Sequence, residues 1–217
     1  MTDKLLDPID DSTRWRYPYS INSISHSFSG STEHTQAYRV CLAYCQRFSE
    51  MQENGIGIRL HGEVGTGKTF FAECIASYLI NAGYEVAWID CAEYIAQATD
   101  YDTRNLEYMG RIANAPVLVI DDIDTKKLNS RELAVLFRLI NARQHKVNII
   151  TTNMTPETIS KNEAADMDEK RALSRIQALC PVALVLTGKD RRKDVAAEKR
   201  QLAAEIMNGG TDDGGQS

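Results

Sequence analysis

The sequence has no strong excess of positive charge, no long apolar run and no cysteine-pairing pattern, and each of these shortages excludes a class of protein. Its 217 residues hold 25 Lys and Arg against 30 Asp and Glu, a net charge of −5. That balance excludes a generally basic protein that coats nucleic acid and leaves any phosphate-backbone contact to local patches. No apolar run approaches the ~20 residues of a membrane span, and the acidic opening MTDKLLDPIDD lacks the apolar core of a signal peptide. A cytoplasmic protein without membrane contact is expected. The five cysteines make no C-x-x-C pair, and an odd number is a poor disulfide framework. Cys41 and Cys45 share a helical face near Leu42 and Phe48, so buried thiols are expected there rather than a metal site. There is no internal repeat. The length suits one well-cored α/β domain.

What is present is concentrated between 62 and 69. The stretch GEVGTGKT, comprising Gly62, Glu63, Val64, Gly65, Thr66, Gly67, Lys68 and Thr69, fits G-x-x-x-x-G-K-[ST] with no residue out of place. The glycines permit positive φ and close approach, so successive amide N–H groups can face one concavity suited to phosphate oxygens. The helix that follows, opened by Phe70 and Phe71, adds its free N–H groups and positive dipole end. Lys68 is expected to be a solvent-facing charge that meets only phosphate, and the Thr69 hydroxyl to hold Mg²⁺. Both flanks agree with this reading. Ile56, Ile58 and Leu60 alternate as in a strand, and Cys74, Ile75, Tyr78 and Leu79 recur at helical spacing until Asn81 and Gly83.

The remainder divides into an extension at 1–31, one domain at 32–207 and a flexible tail at 208–217. The extension carries Trp15, Tyr17, Tyr19 and Phe28, aromatic groups that serve either packing on the domain or docking to a partner. A helix is expected over 32–52. Residues 84–90 read as a strand whose terminal Asp90 caps the next helix. Helical spacing over 92–113 is interrupted by a polar break at 99–105, and Pro116 marks the following boundary.

Residues 117–120 form a wholly apolar run that ends in Asp121 and Asp122, as expected of a central parallel strand covered on both faces. One carboxylate at such a strand end can hold Mg²⁺ through its water shell, and a second can polarise an attacking water. Asn129 and Glu132 have capping-box spacing before a helix over 130–144. The strand at 147–150 leads to Thr151, Thr152 and Asn153, and the amide of Asn153 either reports on a γ-phosphate or shapes the turn before Thr155 and Pro156. A helix over 168–179 carries Arg171 and Arg175 four residues apart, hence on one face. After a last strand at 181–186 come Lys189, Arg191, Arg192 and Lys193, a basic cluster that is either a solvated face or part of the ligand crevice.

Taken together, GEVGTGKT, LVIDDID, RELAVLFRLINARQ, IITTN and KRALSRI resemble the AAA+ ATPases of the DnaC and IstB type over 28–193. These are the bacterial replicative helicase loaders and their transposition-helper relatives. The resemblance implies a three-layer α/β P-loop fold, an AAA+ core with a parallel five-stranded sheet and no substantial lid domain. It implies Lys68 and Thr69 as Walker A residues, Asp121 as the Mg²⁺-side acid, Asp122 as the catalytic acid and Asn153 as sensor 1. Arg175 matches the arginine finger with Arg171 as a supporting candidate, and Arg192 falls near the sensor 2 arginine. ATP and Mg²⁺ are the implied cofactors. Implied partners are a ring-shaped replicative helicase, single-stranded DNA and further copies of the chain assembled with ATP. Asp122 stands where many AAA+ proteins have Glu, which implies slow hydrolysis. Two alternatives are a transposition helper, which would bind a transposase and duplex DNA, and a nucleotide-dependent binding module with little turnover.

Overall fold

Short apolar runs alternating with helix-forming stretches become five parallel strands joined by helices, because parallel neighbours require a crossover connection. The computed structural model describes His26, Phe28, 36–100, 106–125, 128–154, 167–187, 199–201, 203–204 and 206–207. In chain order the elements are α1 (Gln36–Gln46), α2 (Phe48–Glu53), β1 (Ile58–Gly62), α3 (Lys68–Asn81), β2 (Val86–Asp90), α4 (Cys91–Thr99), α5 (Leu106–Asn114), β3 (Val117–Ile123), α6 (Ser130–Ala142), β4 (Val147–Thr152), α7 (Met167–Leu179) and β5 (Val182–Leu186). The sheet order is β2-β3-β4-β1-β5, with every neighbouring pair parallel.

Alternation along the strands builds two apolar clusters. Val117 and Val119 of β3, with Ile58 and Leu60 of β1, face α1, α2 and α3. Leu118 and Ile120 face the opposite way, toward α4, α5, α6 and α7. This is the expected three-layer arrangement, and coverage of both faces explains why β3 and β4 read as nearly unbroken apolar runs. At the edge, β5 buries Leu184 and Leu186 but exposes Ala183 and Val185.

The expected helix at 32–52 is divided at Arg47, whose φ of −105° and ψ of 24° separate α1 from α2. Asp90 caps α4 by accepting from the Glu93 amide at 2.9 Å. The capping box is present as well, with Asn129 Oδ1 accepting from the Glu132 amide and Glu132 Oε2 accepting from the Asn129 amide. Phe28 is buried, its ring edge-to-face with those of Tyr38 and Tyr78, so that aromatic group of the extension packs on the domain. Trp15, Tyr17, Tyr19, Thr155, Pro156, the 189–193 cluster and the tail lie outside the described residues. All five cysteines are free and buried, and burial pushes the Cys41 and Cys91 thiols up to about 12. Among the described residues no group of His, Cys, Asp and Glu is placed to hold a metal, and no helix is long and apolar enough to cross a membrane.

Arg143, just past the end of α6, is fully buried. Its Nε donates to Asn148 Oδ1 at 2.6 Å, Nη1 to the Ile112 and Ala115 carbonyls at 3.0 and 2.8 Å, and Nη2 to the Val147 carbonyl at 2.9 Å. The guanidinium thus joins the end of α5 to the starts of β3 and β4. A cation at a helix carboxyl end is also favoured by the helix dipole.

Candidate active site

Strand β1 delivers Gly62 into the loop, and α3 opens at Lys68. Gly67 occupies the position before α3 with φ 93°, and a Cβ there would meet nothing within 4 Å, so backbone conformation rather than space requires glycine. At Gly62 the limit is space as well: a Cβ would lie 2.4 Å from the Leu186 carbonyl oxygen and 2.7 Å from Thr66 Oγ1. Thr66 Oγ1 donates to the Glu63 carbonyl at 2.8 Å and closes the loop on itself. The start of α3 carries no side-chain cap, which leaves its first N–H groups for an anion.

Lys68 corrects an expectation. It is not a solvent-facing charge but is 7 % exposed, with Nζ donating to the carbonyls of Gly62 at 3.0 Å and Glu63 at 2.8 Å. The loop's own carbonyls satisfy the ammonium, as the cost of burying an unpaired charge demands.

Across the loop, Thr69 Oγ1 lies 3.2 Å from Asp121 Oδ1 and 3.3 Å from Oδ2. Strand β4 lies between β1 and β3, and from it Thr151 Oγ1 donates to Asp121 Oδ1 at 2.5 Å while accepting from the Asp122 amide at 2.8 Å. The β3–β4 register shifts between Ile120 and Ile123. At that irregularity Asp122 takes φ 57°, the one positive value at a non-glycine among the described residues. Such strained positions gather at functional sites. Asn153 Nδ2 donates to Asp122 Oδ1 at 2.8 Å. The sequence places Asp121, Asp122 and Asn153 in one crevice and marks Thr151 only by a hydroxyl directly after the apolar run 147–150, a position that the structure keeps within β4.

Burial raises the Asp121 pKa; the hydrogen bonds from Thr151 and Thr69 oppose this, and the nearby charges of Asp122 and Asp90 add to it. A carboxyl whose folded-state pKa is raised costs stability progressively as pH rises from its unfolded value through the folded one, and in full above both, because the ionised form is disfavoured in the folded site. Asp121→Asn, which keeps an acceptor for both hydroxyls, is therefore expected to raise the melting temperature of the nucleotide-free, Mg²⁺-free protein at pH 7.5. A lower melting temperature would show that the ionised carboxylate is stabilising.

These groups fit a phosphate chain and Mg²⁺. The glycine loop and free helix N–H groups supply anion donors, and Thr69 and Asp121 form the hard oxygen set that Mg²⁺ prefers, usually with retained waters. Phe70 packs edge-to-face on the rings of His26 and Phe71. Glu63 and Val64 are exposed at the loop tip, with Gly65 between them and the helix. Arg171 and Arg175 are exposed on α7, whose other face, Ala172, Leu173 and Ile176, is buried. Arg171 pairs loosely with Asp168 at 3.4 Å, and Arg175 has no hydrogen bond or ion pair with the described residues. Arg192 lies outside them.

Residues 20–186 match the family model described as IstB-like ATP binding protein. An insertion sequence IS21 ATP-binding protein of Pseudomonas aeruginosa is 32 % identical over 108 residues, 49 % of this chain and 40 % of that protein. The match thus spans less than half of that relative's length. Among solved structures, DnaI is similar with a TM-score of 0.63 at 22 % identity, covering 77 % of this chain and 90 % of that one. The DnaC helicase loader has the same score and identity, with 74 % and 96 % covered. These two likenesses establish the α/β P-loop fold of the AAA+ kind, and the family match makes this chain a member of the IstB-like ATP-binding family.

Proposed function

We propose that the protein is a Mg²⁺-dependent ATPase whose site is completed between two copies, and that it serves as an ATP-driven accessory on DNA. The observation that carries this reading is the meeting of three elements: Thr69 of α3 on Asp121 of β3, and Asn153 after β4 on Asp122. Lys68 exchanges the two loop carbonyls for phosphate oxygens, while Thr69 and Asp121 would hold the metal. Bound there, Mg²⁺ would neutralise charge that develops on the phosphates. Asp122 orients the attacking water and accepts its proton. Asn153 fixes one Asp122 oxygen and leaves the other for that water. Arg175 reaches the ATP of the neighbouring copy, and a guanidinium supplied from outside in this way contributes a factor of about 10³ or more.

Asp122→Asn is expected to bind a fluorescent ATP analogue as the parent does and to lose turnover by about 10²-fold or more, since an amide cannot serve as base. Retained turnover would remove Asp122 from the mechanism.

For the partner, likeness to a DnaC helicase loader supports a ring-shaped replicative helicase, and likeness to a DnaA initiator bound to single-stranded DNA supports assembly on that strand. Likeness to IS21 ATP-binding proteins supports a second reading, a transposition helper acting with a transposase and duplex DNA. A pull-down from the native host with ATP present separates them: a helicase recovered supports the first, and a transposase the second.

A further inference from the structure

A buried polar chain runs from the phosphate loop to the arginine-bearing helix, and none of its members is itself a group assigned to ATP. It begins at His61, fully buried and directly before Gly62. His61 Nδ1 lies 2.7 Å from the Met154 carbonyl; a carbonyl only accepts, so this nitrogen carries the proton. The other ring nitrogen, Nε2, is buried without a partner among the described residues, and burial pulls the His61 pKa down. The ring is therefore a neutral strut of fixed tautomer between the loop strand and Met154.

Met154 directly follows Asn153, whose side chain holds Asp122. Its amide donates to Thr152 Oγ1 at 3.1 Å, and Thr152 Oγ1 in turn donates to the Ile123 carbonyl at 2.7 Å. The Asn153 turn is thereby tied to β1 and β3 together. Met154 Sδ lies 3.4 Å from Thr125 Oγ1, and Thr125 Oγ1 lies 2.9 Å from Glu169 Oε1. A hydroxyl has one proton, and the carboxylate is the stronger acceptor, so Thr125 donates to Glu169 and packs on the sulfur.

Glu169 is the unexpected member. It sits in the first turn of α7, is 8 % exposed, and points inward while Asp168, Lys170 and Arg171 face solvent. A carboxylate is costly to bury unless it is hydrogen-bonded, and the Thr125 hydroxyl supplies one such bond, which ties the start of α7 to the chain just past the end of β3. The same helix displays Arg171 and Arg175.

We propose that Thr125 and Glu169 are positioning residues which, with His61 and Met154, couple occupancy of the phosphate loop to the placement of α7. The proposal rests on the nucleotide reading above. When Lys68 releases the Gly62 carbonyl and a ligand engages the free oxygen of Asp122, the Asn153 turn moves with the Asp122 side chain it holds, and Met154 transmits the shift through Thr125 to Glu169. The arginine face of α7 is then presented to a neighbouring copy only when the loop is filled.

Hydrogen exchange of the full chain, with and without Mg²⁺ and a non-hydrolysable ATP analogue, tests this. In the parent protein, nucleotide slows exchange over 62–72 and also in the first turns of α7. In Thr125→Val, which keeps the side-chain shape but removes the donor, and in Glu169→Ala, protection of the loop persists and the α7 response is lost. Thr125→Ser restores the donor and the response. Loop protection in the parent with α7 unchanged overturns the coupling alone, as does an α7 response that survives both variants. No protection over 62–72 overturns the nucleotide reading and the coupling with it. If Thr125→Val and Glu169→Ala fail to fold, Thr125→Ser, which keeps the donor, must still show the α7 response, and its loss there or an unchanged α7 in the parent overturns the coupling.

Discussion

Lys68→Ala is expected to lower affinity for ATP about 100-fold. A hydrogen bond to a charged group contributes roughly 1.5–3 kcal/mol, and each 1.4 kcal/mol is about a factor of ten. One or two ammonium contacts to phosphate therefore account for the loss. The buried position of Lys68 adds a second consequence absent from a solvent-facing lysine. Its removal leaves the Gly62 and Glu63 carbonyls without their donor, which costs about 1 kcal/mol in the nucleotide-free protein. Glu63 is exposed at the loop tip, so water can replace part of that bond and the fold survives. Titration with a fluorescent ATP analogue checks the first effect and a urea midpoint the second. Affinity unchanged within about twofold would contradict the phosphate contact assigned to Lys68.

The largest effect on stability is expected at Arg143, far from the chemistry. Arg143→Ala removes the guanidinium's hydrogen bonds to the Ala115 and Val147 carbonyls and to Asn148 Oδ1, while the Ile112 carbonyl keeps only a longer one from the Ala115 amide at 3.4 Å. An unsatisfied buried acceptor costs about 1–3 kcal/mol. Some of these groups will find water in the space vacated, so a net loss of about 3–5 kcal/mol is expected, in line with breaking other buried charged contacts. At roughly 2–4 °C per kcal/mol for a chain of this size, the melting temperature should fall by about 10 °C. Arg143→Lys should recover only a fraction, because one ammonium with three donors cannot span acceptors that a planar fork reaches at once. Nucleotide affinity of the surviving folded protein should be unchanged: Arg143 sits at the starts of β3 and β4, and the site is at their ends. Thermal melts read both variants, and a loss under about 1 kcal/mol would mean that the clamp is not structural.

The strand, glycine turn and helix around 62–69 are legible because the pattern is local: glycine spacing, a lysine and a hydroxyl fix the backbone and donors within eight residues. Asp121, Asp122 and Asn153 were legible from their place after apolar runs, since a parallel sheet gathers strand ends at one edge. The division of 32–52 at Arg47 was not, because nothing in the local spacing marks it. Lys68 was misjudged since its partners are carbonyls, which side-chain patterns do not reveal. Arg143 and Glu169 lie inside polar-looking helical stretches, and only the tertiary fold turns them inward. His61 was unmarked for the same reason: in a strand with both faces covered, alternation no longer separates core from surface.

The central claim is that ATP is bound by one copy and its turnover assisted by another. Lys68→Ala keeps an intact Arg175, and Arg175→Ala keeps an intact phosphate loop, so a mixture of two inactive proteins contains interfaces that hold both. ATP turnover measured across mixing ratios, with co-assembly verified in the same samples, should rise above either variant alone and peak at an intermediate ratio. A flat, inactive profile from mixtures that demonstrably co-assemble would contradict the shared site.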